Sequence, residues 1–580
     1  MPDTSSKPTW GPTLLPNGRT RFRLWAPAAE AVALEIDGGA PVAMSAEADG
    51  WFAAEAEAPA GTRYRFRIGE LAVPDPASRL QAGGDVHGWS VVVDPAYAWR
   101  HGDWRGRPWE ETVVMEVHAG LLGGFAGAAE RLADWAELGV TAIELMPVAG
   151  VSGTRNWGYD GVLPYAPEAS LGTPDELRAL VDRAHGLGLS VLLDVVYNHF
   201  GPDGNYLGGY APDFFRKDVD TPWGGAIDFG REAVARFFVD NALMWLEDYR
   251  FDGLRFDAVH AIADDAFLDA MAAEIRARTG GRHVHLVLEN ESNDAARLGG
   301  AAGAAFDAQW NDDFHNVLHV LLTGETHGYY RPFADAPAER LARCLAEGFV
   351  FQGEVFDAHT RGTPSAHLPP SRFVAFLQNH DQVGNRAMGE RLTLLADPAK
   401  LRAATGLLLL SPQIPLLFMG EEAGSETPFL FFTDFHDDLA DAVREGRRRE
   451  FAKFPAFADP EAREMIPDPN AEATFAASRP GPGPDADGWR ALYRDLLAIR
   501  RDRIVPGLAR CRSLGAKVLG AKAVAARWAL GEAVLEVAVN FGDEAVAFEG
   551  GEGEELCAIG EGARDGRLAA ASFVAWIGRG

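Results

Sequence analysis

Between residues 112 and 419 the chain repeats one pattern: a short apolar run, a polar break, then a stretch with helical spacing. Apolar runs lie at 112–118, 141–147, 190–195, 253–256, 283–289, 373–378 and 414–419, and helical spacing is read at 128–138, 174–187, 231–249, 264–279, 338–346 and 398–410. Runs that are apolar throughout, with no polar alternation, are expected to be buried on both faces, which is the mark of a parallel sheet covered by helices. About eight such strands over this length close into a (β/α)8 TIM barrel with insertions. The alternative is a doubly wound open sheet, but no glycine-rich dinucleotide loop follows the first run.

The flanks have a different rhythm. From 19 to 97, Phe22 and Leu24, then Val32, Leu34 and Ile36, then Tyr64, Phe66 and Ile68 alternate with polar residues. Short strands at this spacing predict an N-terminal β-sandwich, with Trp25 in its core. The stretch 476–487 (AASRPGPGPDAD) reads as a flexible linker or exposed loop, 488–501 as a helix, and 524–528, 533–539 and 572–577 as strands of a small C-terminal β domain. The expected units are 1–105, 106–502 and 503–580. A formal net charge of −30 excludes a nucleic-acid partner, which would require a basic face. Cys344, Cys511 and Cys557 are far apart, with no CxxC spacing, which fits a reducing compartment and gives no zinc signal. The first residues lack a signal-peptide pattern, and the most apolar run, 407–418, is broken by Pro412 and Pro415 and too short to cross a membrane. A cytoplasmic protein with no membrane partner is expected.

In a barrel of this kind the chemistry stands where strands end. Residues 253–260 read GLRFDAVH. Residues i and i+2 of a strand point the same way, so Arg255 and Asp257 share a face and the guanidinium keeps the carboxylate ionised. Alone, this is as well explained by a structural ion pair. Asp194, Asn198 and His199 follow the third run, however, His260 closes the fourth, Glu289 ends the fifth, and His380 and Asp381 follow 373–378. Three acids at the ends of three strands converge on one axis, which is what cleavage of a glycosidic bond requires. Glu421 and Glu422, after the last run, are read as structural.

DVVYNH (194–199), GLRFDAVH, LVLEN (286–290) and FLQNHDQ (376–382) resemble the four signature segments of the α-amylase superfamily of retaining α-glucan enzymes. Longer stretches, among them RNWGYDGV (155–162), ENESNDAARL (289–298) and SAHLPPSRFVAFLQNHDQVGNRA (365–387), resemble the maltooligosyltrehalose trehalohydrolases within it. The resemblance implies Asp257 as nucleophile, Glu289 as general acid/base and Asp381 as the carboxylate that clamps sugar hydroxyls. It implies that Arg255, His199 and His380 hold the nucleophile and the minus-one sugar, that Tyr159 stacks beneath that sugar, and that His260 joins the substrate contacts. Neither metal nor organic cofactor is implied, and Asn198 is read as a hydrogen-bonding neighbour of the site. Maltooligosyltrehalose and maltooligosaccharides are the implied substrates, for a monomer or weak homodimer. A glycogen branching or debranching enzyme is the runner-up, and a non-catalytic transporter-partner barrel is disfavoured by the three acids. Selectivity for trehalose is expected from rim loops: Gln382 within 382–386, and a wall formed by Phe429, Phe431, Phe432 and Asp434, with a solvated basic helix behind it.

Overall fold

The computed structural model describes residues 9–221, 224–262, 264–299, 305–356 and 359–579, so the first eight residues of the expected N-terminal unit lie outside it. Two antiparallel sheets open the chain. One orders Thr13–Leu14, Thr20–Trp25, Trp51–Ala56 and Ser45–Ala46, and the other Val42–Ala43, Ala33–Ile36, Arg63–Ile68 and Leu71–Val73. The alternating residues Phe22, Leu24, Leu34, Tyr64 and Phe66 meet between them and are wholly buried, as the period of two requires. Trp25 is buried too, and its indole donates to Asp49 O.

Eight parallel strands then close a barrel: β1 Val114–Val117, β2 Ala142–Leu145, β3 Ser190–Val195, β4 Gly253–Phe256, β5 His285–Leu288, β6 Ala308–Trp310, β7 Phe373–Phe376 and β8 Ile414–Phe418. Closure is made by β8 pairing with β1, with Phe418 opposite Glu116. The expected (β/α)8 barrel is observed. The strand not located from sequence is β6, only three residues long, whose single polar residue Gln309 is also buried.

Helices cover the barrel, including α1 Gly124–Leu138, α2 Pro174–Gly186, α3 Glu232–Glu247, α4 Asp265–Arg278, α5 Asp312–Thr323 and α6 Pro337–Glu347. Thr173 and Glu176 start α2 with a reciprocal capping box. The sandwich docks on α3 through Trp10, whose ring centroid lies 4.8 Å from Trp51 and 4.9 Å from Phe237, and whose indole donates to Ala233 O. The connector between sandwich and barrel is fixed as well. Asp252, fully buried just below β4, accepts from Trp104 Nε1 (2.9 Å), His185 Nε2 (2.9 Å), Val191 N (3.0 Å) and Arg282 Nη2 (3.3 Å), while Trp104 stacks on His185.

The 476–487 stretch is largely exposed, as one of its two readings has it, but it is tied to the barrel rim. Gly483 N donates to Ala423 O, Leu430 N donates to the buried Ser478 Oγ, and Asp485 pairs with Arg402. A Cβ on Gly483 would lie 1.9 Å from Gly424 O, so the glycine serves close approach to the barrel rim rather than mobility. The C-terminal sheet orders Cys511–Gly520, Ala523–Leu530, Ala533–Asn540, Ser572–Arg579 and Glu554–Ile559, and Trp528 Nε1 donates to Leu345 O of α6.

Candidate active site

Inside the barrel, Val114, Ala142, Leu192, Val287, Ala308, Trp310, Val374, Phe376, Ile414 and Leu416 form an apolar floor. Two residues above Val114, Ala142, Leu192, Val287 and Trp310 stand Glu116, Glu144, Asp194, Glu289 and Asp312. The i, i+2 rule that paired Arg255 with Asp257 therefore applies all round the barrel. Glu116 and Glu144 lie inside apolar runs, where the same periodicity marks them, whereas Asp312 follows β6, which is too short to show a period.

Arg255 is the centre, wholly buried with its guanidinium 4.2 Å above the Trp310 ring. Its Nη1 donates to both oxygens of Asp194 (2.9 and 2.8 Å) and to Asp257 Oδ1 (2.8 Å), and its Nη2 lies 3.9 Å from Glu289 Oε2. Burial raises Asp194, and Arg255 opposes it. The backbone bends sharply after Asp257: Ala258 has φ 41° and ψ 48°, a left-handed conformation that costs a non-glycine residue about 1–2 kcal/mol. The bend turns Ala258 N–H onto Glu289 Oε2 at 2.5 Å, fixing that carboxyl beside Asp257. Burial pushes Glu289 up to about 8; Arg255 opposes this, and the charges of Asp257, Asp312 and Asp381 reinforce it. Glu289 is therefore a protonated acid at neutral pH, standing against an arginine that also holds a second carboxylate.

Asp381 reaches the cleft from α7 His380–Gly384, a single turn capped by Asn379 Oδ1. Its Oδ1 accepts from Asn385 Nδ2 (3.1 Å) and lies 3.5 Å from His380 Nε2. The Tyr159 ring stacks on His380 (4.9 Å, 22°) and its hydroxyl donates to Asp194 Oδ2 at 2.6 Å. His199 Nε2 donates to Tyr159 O at 3.0 Å. Gln382 Nε2 donates to Asp312 Oδ1 at 3.1 Å, and burial, with Asp381's charge, brings Asp312 up to about 7. Tyr159, His199, Arg255, Asp257, Glu289, His380, Asp381 and Gln382 are thus linked in one cluster. His260 stands on the rim, where its Nδ1 accepts from Glu291 N and the charge of Asp257 still reaches its ring.

Four expectations are corrected. Asp434 is 5% exposed, and it accepts from Thr154 N (2.8 Å), Thr154 Oγ1 (3.0 Å) and Arg155 Nη2. Buried as it is, with three hydrogen bonds holding the 151–155 loop, it does not present its carboxylate to a sugar. Phe429 and Phe432 are core residues with no exposed surface, Phe429 stacked on Trp157 at 5.1 Å. Behind them Arg447 is largely packed away instead of solvated, its side chain 9% exposed, donating to Gly384 O and Arg386 O with its guanidinium over Phe431. Finally, Asn198 is buried and neither amide atom has a hydrogen-bond partner among the described residues. Among those residues no group of three or more His, Cys, Asp or Glu is arranged to hold a metal ion. Glu421 is structural as expected, accepting from Tyr493 Oη (2.8 Å) and Phe418 N (3.3 Å).

A closed parallel barrel whose strand ends gather three acids around one buried arginine defines the α-glucan-active barrels of the α-amylase type, and the family described as "Alpha amylase, catalytic domain" matches residues 85–212. A second family, described as "Domain of unknown function (DUF3459)", matches 511–575. The malto-oligosyltrehalose trehalohydrolase of Deinococcus radiodurans is 43% identical over 85% of this chain and 83% of its own length, and that of Saccharolobus solfataricus is 38% identical over 85% and 87%. A Salmonella typhimurium crystal structure described as an alpha amylase superposes with a TM-score of 0.93 at 44% identity, covering 99% of this chain and all of its own. The chain belongs to the malto-oligosyltrehalose trehalohydrolase family. Among the described residues no helix is long and apolar enough to cross a membrane.

Proposed function

We propose that this chain hydrolyses the α-1,4-glucosidic bond next to the terminal trehalose of maltooligosyltrehalose, with retention of configuration, releasing trehalose and a maltooligosaccharide. Asp257 attacks the anomeric carbon while Glu289 gives its proton to the departing trehalose oxygen; Glu289, now ionised, then takes a proton from the water that hydrolyses the glycosyl–Asp257 ester. Asp381 and His380 bind the hydroxyls of the minus-one sugar, and Tyr159 stacks against its face. His199 supports Tyr159. Neither a metal nor an organic cofactor takes part, and the protein acts in the cytoplasm as a monomer or weak homodimer.

The observation that carries this reading is the split between two carboxyls on one guanidinium. Asp257 takes a 2.8 Å hydrogen bond from Arg255, whereas Glu289 stands 3.9 Å away and is held protonated. A nucleophile and an acid are thereby set side by side. On the leaving-group side, the candidates shift from Asp434 to the Asp312–Gln382 pair and to Tyr329, whose ring is 65% exposed on the rim. Incubation with maltopentaosyl-trehalose beside maltoheptaose tests the reading. Trehalose should be released from the first far faster than any disaccharide from the second. New α-1,6 branches without free trehalose would point to a branching enzyme instead.

A further inference from the structure

Glu116 belongs to no signature segment, yet it makes two contacts with one partner. Its Oε2 accepts the backbone N–H of His380 at 2.9 Å and its Oε1 lies 2.5 Å from the ring Nδ1, both side chains being almost wholly buried. We propose that Glu116 is a positioning residue for glycosidic cleavage: gripping His380 at ring and backbone together, it keeps a proton on Nδ1 and directs Nε2 toward Asp381 and the sugar bound there. The proposal rests on the site reading given above.

The ring has no freedom to turn away. Tyr159 stacks on one face, the Trp157 ring meets it edge-on at 5.6 Å, and Trp310 closes a third side at 6.0 Å. The charged and titratable groups facing it are Glu116 on β1, Glu144 on β2, Asp194 on β3, Arg255 on β4, Asp381 on its own helix, and His118 and Tyr159 on loops. Burial alone would drive His380 down, but the charges of Glu116 and Asp381 outweigh it and bring the ring up to about 9. His380 therefore remains a donor at both nitrogens through neutral pH. A neutral ring could present Nε2 as an acceptor, which would repel the lone pairs of Asp381 and bind the wrong side of a hydroxyl.

Imidazole NMR of histidine-labelled protein tests this, with the His380 signal assigned by its loss in His380→Asn. In the wild type His380 should titrate near 9, and in Glu116→Gln at or below the ordinary 6.5. A wild-type ring titrating at 6.5 or lower overturns the proposal without any Glu116 variant, so misfolding of the variant cannot shelter it. In kinetics, Glu116→Gln should lower kcat by about 10–100-fold, the range seen when the carboxylate partner of a metal-bound histidine is lost, with a much smaller change in KM. Its alkaline limb should move below that of the wild type, which is expected near 8, where Glu289 loses its proton. Glu116→Asp, which keeps the charge, should recover part of the loss. Wild-type kcat and an unmoved limb in Glu116→Gln would overturn the proposal. A wild type that releases no trehalose would sink the functional reading but leave the NMR result standing.

Discussion

Replacing Glu289 by glutamine separates what this residue does for the reaction from what it does to the fold. In the folded chain, burial brings the carboxyl up to about 8, against an ordinary value of 4.5 when the chain is open. Below 4.5 both states hold the proton and pH has no leverage through this group. From there up to about 8 the unfolded chain has released its proton and the folded chain has not. Each pH unit in that window lowers stability by roughly 1.4 kcal/mol, and above it the loss is constant. At pH 7 the accumulated cost is on the order of 3 kcal/mol. Glutamine has nearly the same shape, retains an oxygen for Ala258 N–H and does not titrate. Throughout the window the native carboxyl is neutral, so the two folded states carry the same charge and the difference reports on Glu289 alone. Thermal unfolding of both proteins across this pH range is the assay. The variant should melt with the wild type at the acid end and several degrees above it at pH 7, while its turnover falls by about 10³ and is partly restored on an activated glycosyl fluoride. A stability gap that does not change with pH would refute the reasoning.

Other perturbations have equally definite outcomes. Asp257→Asn should lower turnover by at least about 10³ with no rescue by the fluoride, and in the wild type NMR should detect the α-anomer of the liberated chain first; an initial β-anomer would exclude retention. Asp434→Ala strips three donors of a buried acceptor and should destabilise by about 3–5 kcal/mol, slowing cleavage of trehalose-ended and plain chains alike; a selective loss at unchanged melting temperature would return Asp434 to the substrate contacts. Glu144→Gln should leave turnover nearly unchanged, because burial and then the charges of Asp194 and Glu116 hold Glu144 well above its ordinary value, and by the same linkage it should raise the melting temperature at neutral pH; a large loss of turnover would show that Glu144 works as an anion.

Much of this was legible because burial writes itself into strands. Runs that stay largely apolar are expected to be covered on both faces, and six of the eight barrel strands were legible on that ground; a seventh, 253–256, was legible from Leu254 and Phe256 alternating with polar neighbours. The eighth, Ala308–Trp310, is too short to carry a period. The acids at strand ends were legible for the same reason: an ionisable residue ending an apolar run has few other uses. What failed was reading rims. Phe429, Phe432 and Asp434 lie in an insertion whose composition suits a sugar-binding wall, but whether a phenylalanine faces solvent or Trp157 is decided by chain segments more than two hundred residues away. Asn198 failed in a different way, since no local pattern tells a satisfied amide from an unpartnered one. Glycine and proline in 476–487 suggested slack, whereas Gly483 is there because a backbone passes too close for any side chain.

The Asp252 junction bears on how such chains can be recombined. The donors that neutralise this buried carboxylate come from β3, from Arg282 beyond α4, from His185 of α2 and from Trp104, which precedes the barrel's first strand. A barrel excised at residue 106 would lose the indole, uncover the histidine beneath it and admit water to a carboxylate at the stability face of the fold. The connector is therefore inherited with the barrel rather than with the sandwich. An exchange of N-terminal modules between relatives should cross before Tyr97, upstream of the Trp99–Trp104 stretch, if the recipient barrel is to keep its own seal.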